Sequence, residues 1–253
     1  MAIKELFQDS RPQVLFDPRA SQRIDPRFKF TRDGVASYYD KDGVLRYAPA
    51  NQPRVGFNYE PDENGVMLPV QGLLLEESRT NYIDESVDLT DTGTWTNYKF
   101  NTPTLNAGTA PDGTNTAVSL VPNTENVVKT FSCYNIASTF DNYLAVSVFA
   151  KANGYNKFKL VIDGASAGGA FGGDATFDLS TGTVTQGASG VGTIQKLPNG
   201  WYRCAVTHQN TTGGIAVWPG IQGLDNSTNG VFTGDGTTGY LLCGFQLEES
   251  PFP

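Results

Sequence analysis

The sequence predicts an all-β protein: an extended N-terminal arm with short hairpins, followed by a jelly-roll-like β-sandwich. Three observations carry this expectation. Short stretches of apolar–polar alternation recur through the later part of the chain, and no window longer than a few residues repeats with helical period. Glycine and proline are frequent, 28 and 14 of 253 residues, and punctuate those stretches. Charged residues make up only 17%, so Thr, Asn, Ser and Gly must cover the surface, which suits strands better than helices.

Composition divides the chain near residue 85. Eight of the nine Arg precede residue 80 and only Arg203 follows, whereas 23 of the 28 Gly lie beyond residue 85. In the first part, "FDPRASQRIDPRFKFTRDG" alternates Pro with charged residues. Proline fixes its own φ and disfavours helix at the residue before it, so this stretch reads as extended chain with turns. "VASYYDKDGVLRYAP" places two aromatic-rich runs around Asp42-Gly43, a favoured hairpin turn. Residues 1–85 hold too few clustered large apolar side chains for a core of their own, and the expectation is an arm that docks on another surface.

From residue 86 to 253 the pattern is strand and turn. "NYLAVSVFAKA" puts Leu144, Val146, Val148 and Ala150 on one face. "KFKLVIDG" puts Phe158, Leu160 and Ile162 on one face and the lysines on the other. "ATFDLSTGTVTQ" reads as a hairpin around Thr181-Gly182. "NGWYRCAVTHQ" and "TTGYLLCGFQLEE" alternate in the same way. Eight to ten such strands with polar turns predict a two-sheet sandwich.

The formal charge of −8 argues against nucleic acid, which needs a basic stripe. No apolar run is long enough to span a membrane as a helix. The start "MAIKELFQDS" lacks the apolar core of a secretion signal, so synthesis and folding in a cytosol are expected. Cys133, Cys204 and Cys243 are odd in number and lack metal spacing, which predicts neither a disulfide framework nor a metal site.

The tetrapeptide "LEES" occurs twice, in "GLLLEESRTN" (Gly72 to Asn81) and "GFQLEESPFP" (Gly244 to Pro253). Glu248 and Glu249 are neighbours in a strand and project to opposite faces, as do Glu76 and Glu77. A glycosidase pair must share one cleft, with carboxylates ~5 to 9.5 Å apart, so both copies read as strand ends. Any Ser-His-Asp triad would have to use His208, the only histidine; it ends a strand, and no nucleophile-elbow pattern accompanies it. "DKDG" (Asp40 to Gly43) and "TGDGTTG" (Thr233 to Gly239) carry oxygen ligands of the kind calcium takes, but turn chemistry explains both. No cofactor is expected.

Several stretches carry a resemblance: Asp25-Pro26-Arg27, "DGVLR" (Asp42 to Arg46), "ANQPR" (Ala50 to Arg54) and Gly72 to Asn81. In order and spacing they resemble a segment common in bacteriophage virion structural proteins of the fibre or spike type, and "LFQDSRP" is similar to starts found among phages of marine bacteria. "APDGT" (Ala110 to Thr114), "TFDLSTGTVT" (Thr176 to Thr185), "NGWYRCAVT" (Asn199 to Thr207) and "GFQLEES" resemble the sandwich that often follows, similar in outline to carbohydrate-binding modules. The resemblance implies a non-enzymatic virion protein made in the bacterial cytoplasm, a tail or baseplate fibre or fibre adaptor. It also implies other virion proteins as partners and self-association, with a trimer favoured. Capsid decoration (a head fibre), or a module that recognises host surface glycans, is the alternative.

Two residue sets follow. Trp201, Arg203, Trp218 and Tyr240 are candidates for glycan or partner contact, because the alternation points Trp201, Arg203 and Tyr240 away from the core and sugar rings stack on exposed aromatics. It assigns Leu241, Cys243, Phe245 and Leu247 to the core face. Arg19, Arg23, Arg27, Phe28, Phe30, Tyr38 and Tyr39 are candidates for virion docking, because arginine forms planar bidentate pairs with carboxylates and the aromatics argue against a solvated tail.

Overall fold

The computed structural model describes residues 29–61, 67–74, 79–133, 136–140, 143–166, 169–209 and 214–251. The chain forms two compact units, residues 1–77 and 78–253.

The first unit contains the expected hairpin and a second one. Strands β1 (Ala36–Tyr39) and β2 (Leu45–Ala48) pair antiparallel, with Tyr39 opposite Leu45. Their turn is held by Asp40, whose Oδ1 accepts from the Asp42 and Val44 amides at 2.9 and 3.0 Å while Oδ2 accepts from Arg46 Nε at 2.8 Å. Gly43 supplies the positive φ of 73° that this turn requires. Strands β3 (Val55–Pro61) and β4 (Met67–Leu73) make the second hairpin. The two hairpins meet at Gly56, where an added Cβ would lie 3.0 Å from the Tyr39 carbonyl oxygen. The arginines here tie the unit to itself: buried Arg54 donates from Nη1 to the Ser37 carbonyl at 2.9 Å, and Arg32 Nη2 to the Ala48 carbonyl at 2.9 Å.

The second unit is a sandwich of two antiparallel sheets. In chain order its strands are β5 (Trp95–Tyr98), β6 (Thr104–Gly108), β7 (Ala117–Leu120), β8 (Val127–Cys133), β9 (Ile136–Phe140) and β10 (Tyr143–Asn153). Then come β11 (Lys157–Ser166), β12 (Gly169–Asp178), β13 (Thr183–Gln186), β14 (Val191–Lys196), β15 (Trp201–Gln209), β16 (Gly214–Gly223), β17 (Val231–Phe232) and β18 (Gly239–Glu249). One sheet runs β14-β15-β10-β18-β7-β6; the other runs β13-β12-β11-β16-β8-β17, with β5 beside β8 and β9 beside β16.

Eight of the strands give the jelly roll. β7, β10, β15 and β18 lie in one sheet and β8, β11, β12 and β16 in the other, so the chain crosses between sheets again and again in two interlocked Greek keys. The all-β expectation therefore holds. The strands beyond the anticipated eight to ten are short edge pieces, such as β17 with two residues. Two or four residues cannot show a period.

The core lies between the sheets. Leu144, Val146, Val148 and Ala150 of β10 face Phe158, Leu160 and Ile162 of β11, all buried. Trp95 stacks on Phe131 with ring centroids 5.1 Å apart. Burying each side chain of this size contributes about 1.5 to 3 kcal/mol. Lys129, with no exposed surface, donates from Nζ to the carbonyls of Glu125, Val127 and Phe232.

Strand β18 departs from the expected alternation. Tyr240, Leu242, Phe245 and Leu247 have no exposed surface, whereas Leu241 and Cys243 are only half-buried. The core parity changes between Leu242 and Phe245 because Gly244 adopts φ 61° and the register against β10 shifts between Ser147 and Phe149. A β-bulge inserts one residue and reverses the faces beyond it. Before the bulge, then, the predicted faces are wrong: Tyr240 points into the core, and Leu241 and Cys243 point outward.

Residues 79–86 belong to this sandwich. The Tyr82 amide donates to the Leu247 carbonyl at 2.9 Å and the Phe245 amide to the Ser86 carbonyl at 3.0 Å.

Candidate functional site

The acidic residues account for much of the chain's turn structure. Asp88, Asp112 and Asp225 each accept through Oδ1 from the amide and the hydroxyl of the Ser or Thr two residues later. Asp178 does the same with Ser180. Asp235 accepts from the Thr237 and Thr238 amides and the Thr238 hydroxyl, and these bonds hold its carboxyl at about 2. The two stretches considered for calcium thus spend their Asp40 and Asp235 oxygens on turns. Among the described residues no group of three or more His, Cys, Asp or Glu could hold a metal ion.

Glu248 and Glu249 are half-buried and lie opposite Ala145 and Leu144, on the two faces of β18. Glu76 and Glu77 lie outside the described residues. His208 packs toward Gly173, where an added Cβ would come within 2.8 Å of its own Cβ, and its Nδ1 is 2.9 Å from the Ser189 carbonyl. That is a tie between sheet and loop. Cys204 is fully buried, which pushes its thiol well up; burial pushes Cys243 up to about 11, with the Asp112 charge adding to it and a Thr116 hydrogen bond opposing.

The four candidate contact residues separate. Tyr240 is buried and its hydroxyl donates to the carbonyl of Lys157 or Leu224, at 2.7 and 2.8 Å, while accepting from the Leu224 amide at 3.2 Å. Trp201 does lie on the face away from the core, but it is 2% exposed and its Nε1 donates to the Thr109 carbonyl at 3.0 Å. The chain before β7 covers it: an added Cβ on Gly108 would lie 3.3 Å from Leu241, which shares this outer face. Both rings are structural. Arg203 is half-buried beside Gln195 on that outer face, next to a shallow depression lined by Thr193 and Ala205.

Trp218 is half-buried on the outer face of the other sheet. Its neighbours Val217 and Ile221 point into the core, which fixes its own direction. Directly opposite on β11 stands Asp163. Lys159 and Asp174 share this face and pair at 3.0 Å. Gly220 and Gln222 continue it along β16, opposite Ser132 and Thr130 of β8. Asp163 is exposed, yet its carboxyl is raised from the ordinary value, by the packing of its surroundings first and the Asp174 charge second, with Lys159 opposing. An aromatic ring, hydroxyls, an amide and carboxylates on one sheet face can stack against and hydrogen-bond a polar ring. Sequence reasoning singled out Trp218 but missed Asp163, because only the register brings the two together.

Of the docking candidates, Arg19, Arg23, Arg27 and Phe28 lie outside the described residues. Phe30 has the Arg32 guanidinium 5.9 Å from its ring centroid, and Tyr38 and Tyr39 are half-buried.

By strand order the second unit is a jelly-roll β-sandwich. No protein-family model and no curated protein matches the chain. Among solved structures it is similar to the N-terminal endo-1,4-beta-D-xylanase 10B of Clostridium thermocellum, the CBM22-1 and GH10 modules complexed with xylohexaose. That match has 14% identity and a TM-score of 0.37, over 65% of this chain and 28% of that one. It is similar also to the CBM22-1 xylan-binding domain from Paenibacillus barcinonensis Xyn10C, with 11% identity and a TM-score of 0.36, over 68% of this chain and 92% of that one. A third similar structure, from work on carbohydrate-binding modules of the β-sandwich superfamily, has 11% identity and a TM-score of 0.40, over 85% of this chain and 86% of that one. No helix among the described residues is long and apolar enough to cross a membrane.

Proposed function

We propose that this chain is a non-enzymatic structural protein of a bacteriophage particle, a tail or baseplate fibre component. In this reading the first unit docks on the particle and the sandwich mediates assembly and host attachment, touching a surface glycan through the Trp218 face. The ordered motifs from Asp25 to Asn81 support the virion role. The observation that supports a binding rather than a catalytic sandwich is the fate of its polar groups. The loop carboxylates described above are spent on turns and His208 on a loop carbonyl, whereas Trp218 and Asp163 stand together on an open sheet face.

Adsorption competition tests this. Full-length protein added to host cells before infection is expected to lower particle adsorption, and the Trp218→Ala protein to lose that effect. Protein that binds host cells without competing, or that hydrolyses host polysaccharide, would contradict the reading.

A further inference from the structure

The outer faces of β11 and β12 carry a ladder of charge pairs with one rung unfilled. Lys157 Nζ lies 3.5 Å from Asp178 Oδ2, and Lys159 Nζ 3.0 Å from Asp174 Oδ2. Further along β11 on the same face stands Asp163, between Gly172 of β12 and Trp218 of β16. Gly172 offers no side chain to answer it, and an added Cβ there would lie 3.1 Å from Asp163 Oδ1, so the carboxylate leans across β12. Among the described residues no hydrogen bond or ion pair engages it. The aspartates of β12 have lysines; Asp163 has an indole ring and a second acid nearby.

A lone carboxylate beside an aromatic face is suited to a cation, since charge attraction and the ring quadrupole act on the same group. The field of the whole unit agrees. From residue 78 onward the chain has eight Lys and Arg against fourteen Asp and Glu, which repels uronate and phosphate polymers. A sugar without an amine would stack on Trp218 but leave the Asp163 charge uncompensated. We propose that this face takes a glycan bearing free amino groups: the sugar ring stacks on Trp218 and its ammonium occupies the place beside Asp163. This rests on the glycan reading of the Trp218 face given above.

The test is calorimetric titration of the full-length protein with three hexasaccharides: glucosamine, N-acetylglucosamine and galacturonate. The glucosamine hexamer is expected to bind at least about ten-fold tighter than the acetylated one, ~1.4 kcal/mol, and galacturonate not at all. Asp163→Asn should bring the first two to parity. Trp218→Ala should abolish binding of both, with Trp218→Phe as the variant that keeps an aromatic ring if the alanine protein misfolds. Equal affinity for the two hexamers in the parent protein, lost in Trp218→Ala, would overturn the amino-sugar inference and leave the glycan reading standing. Binding of none would overturn both. Oligolysine binding as tightly as the glucosamine hexamer, and needing Asp163, would make this a surface for a basic protein partner and overturn the glycan assignment.

Discussion

Asn81 completes a strand with its side chain. Its Oδ1 accepts from the Leu247 amide at 3.0 Å and its Nδ2 donates to the Phe245 carbonyl at 3.1 Å. Strand β18 needs this because β7 pairs with it only at Tyr240 to Leu242. Beyond that point Asn81, the Tyr82 amide and the Arg79 guanidinium, 3.0 Å from the Glu249 carbonyl, take the place of a neighbouring strand. The "RTN" after the first "LEES" thus docks on the strand that carries the second.

Asn81→Ala leaves the Leu247 amide and the Phe245 carbonyl without this partner. A buried polar group left unpaired costs about 1 to 3 kcal/mol, so a loss in that range or somewhat above it is expected in urea unfolding. Asn81→Asp keeps the acceptor and loses the donor, and should fall between the two. Equal stability of all three proteins would show that water replaces the side chain.

The bulge in β18 depends on Gly244. A side-chain-bearing residue held in the left-handed region costs about 1 to 2 kcal/mol, and an added Cβ would lie 3.3 Å from the Phe149 ring. Gly244→Ala should therefore lower stability by that amount or more. Deleting Gly244 should abolish folding, because it would turn Tyr240 and Leu242 outward. A deletion that folds, read by far-UV circular dichroism, would refute the parity argument.

Asp235 sets an acid limit. Its folded pKa of about 2 lies below the ordinary 3.8. A depressed carboxyl contributes stability that is complete above the unfolded value and is lost as pH falls through the folded one. The stability gap between the parent and Asp235→Ala should be constant above pH ~4 and shrink between ~4 and ~2. A carboxyl titration by NMR with an unshifted midpoint would contradict this.

Trp201 and Trp218 should behave oppositely. Trp201→Ala removes a buried ring and its bond to Thr109, with an expected cost of about 3 to 5 kcal/mol. Trp218→Ala removes a half-buried ring from an open face and should cost under about 1 kcal/mol. Urea midpoints of the two variants decide; similar losses would mean that Trp218 is structural too.

Much of the fold was legible. The apolar faces of β10 and β11 follow strict alternation, and the turns at Asp42-Gly43 and Thr181-Gly182 carry residues that turns require. What escaped were interruptions of period. Gly244 reads as one more small residue in an alternating run, yet its backbone reverses the faces of Tyr240 and Leu241. The composition break near residue 85 groups residues 79–85 with the first part of the chain, and the bonds of Asn81 to β18 could not be read there, since Asn81 contributes by side-chain geometry and not by hydrophobicity. The site was half legible: Trp218 stands out in "AVWPG", but its partner lies 55 positions earlier and meets it only through the β11–β16 register.

Quantitative mass spectrometry of gradient-purified particles decides whether this chain is built into a bacteriophage. A virion component will be found at a fixed copy number relative to the other virion proteins, sedimenting with infectivity. Particles that lack the chain while it is abundant in the lysate that released them would rule out the virion role proposed for it.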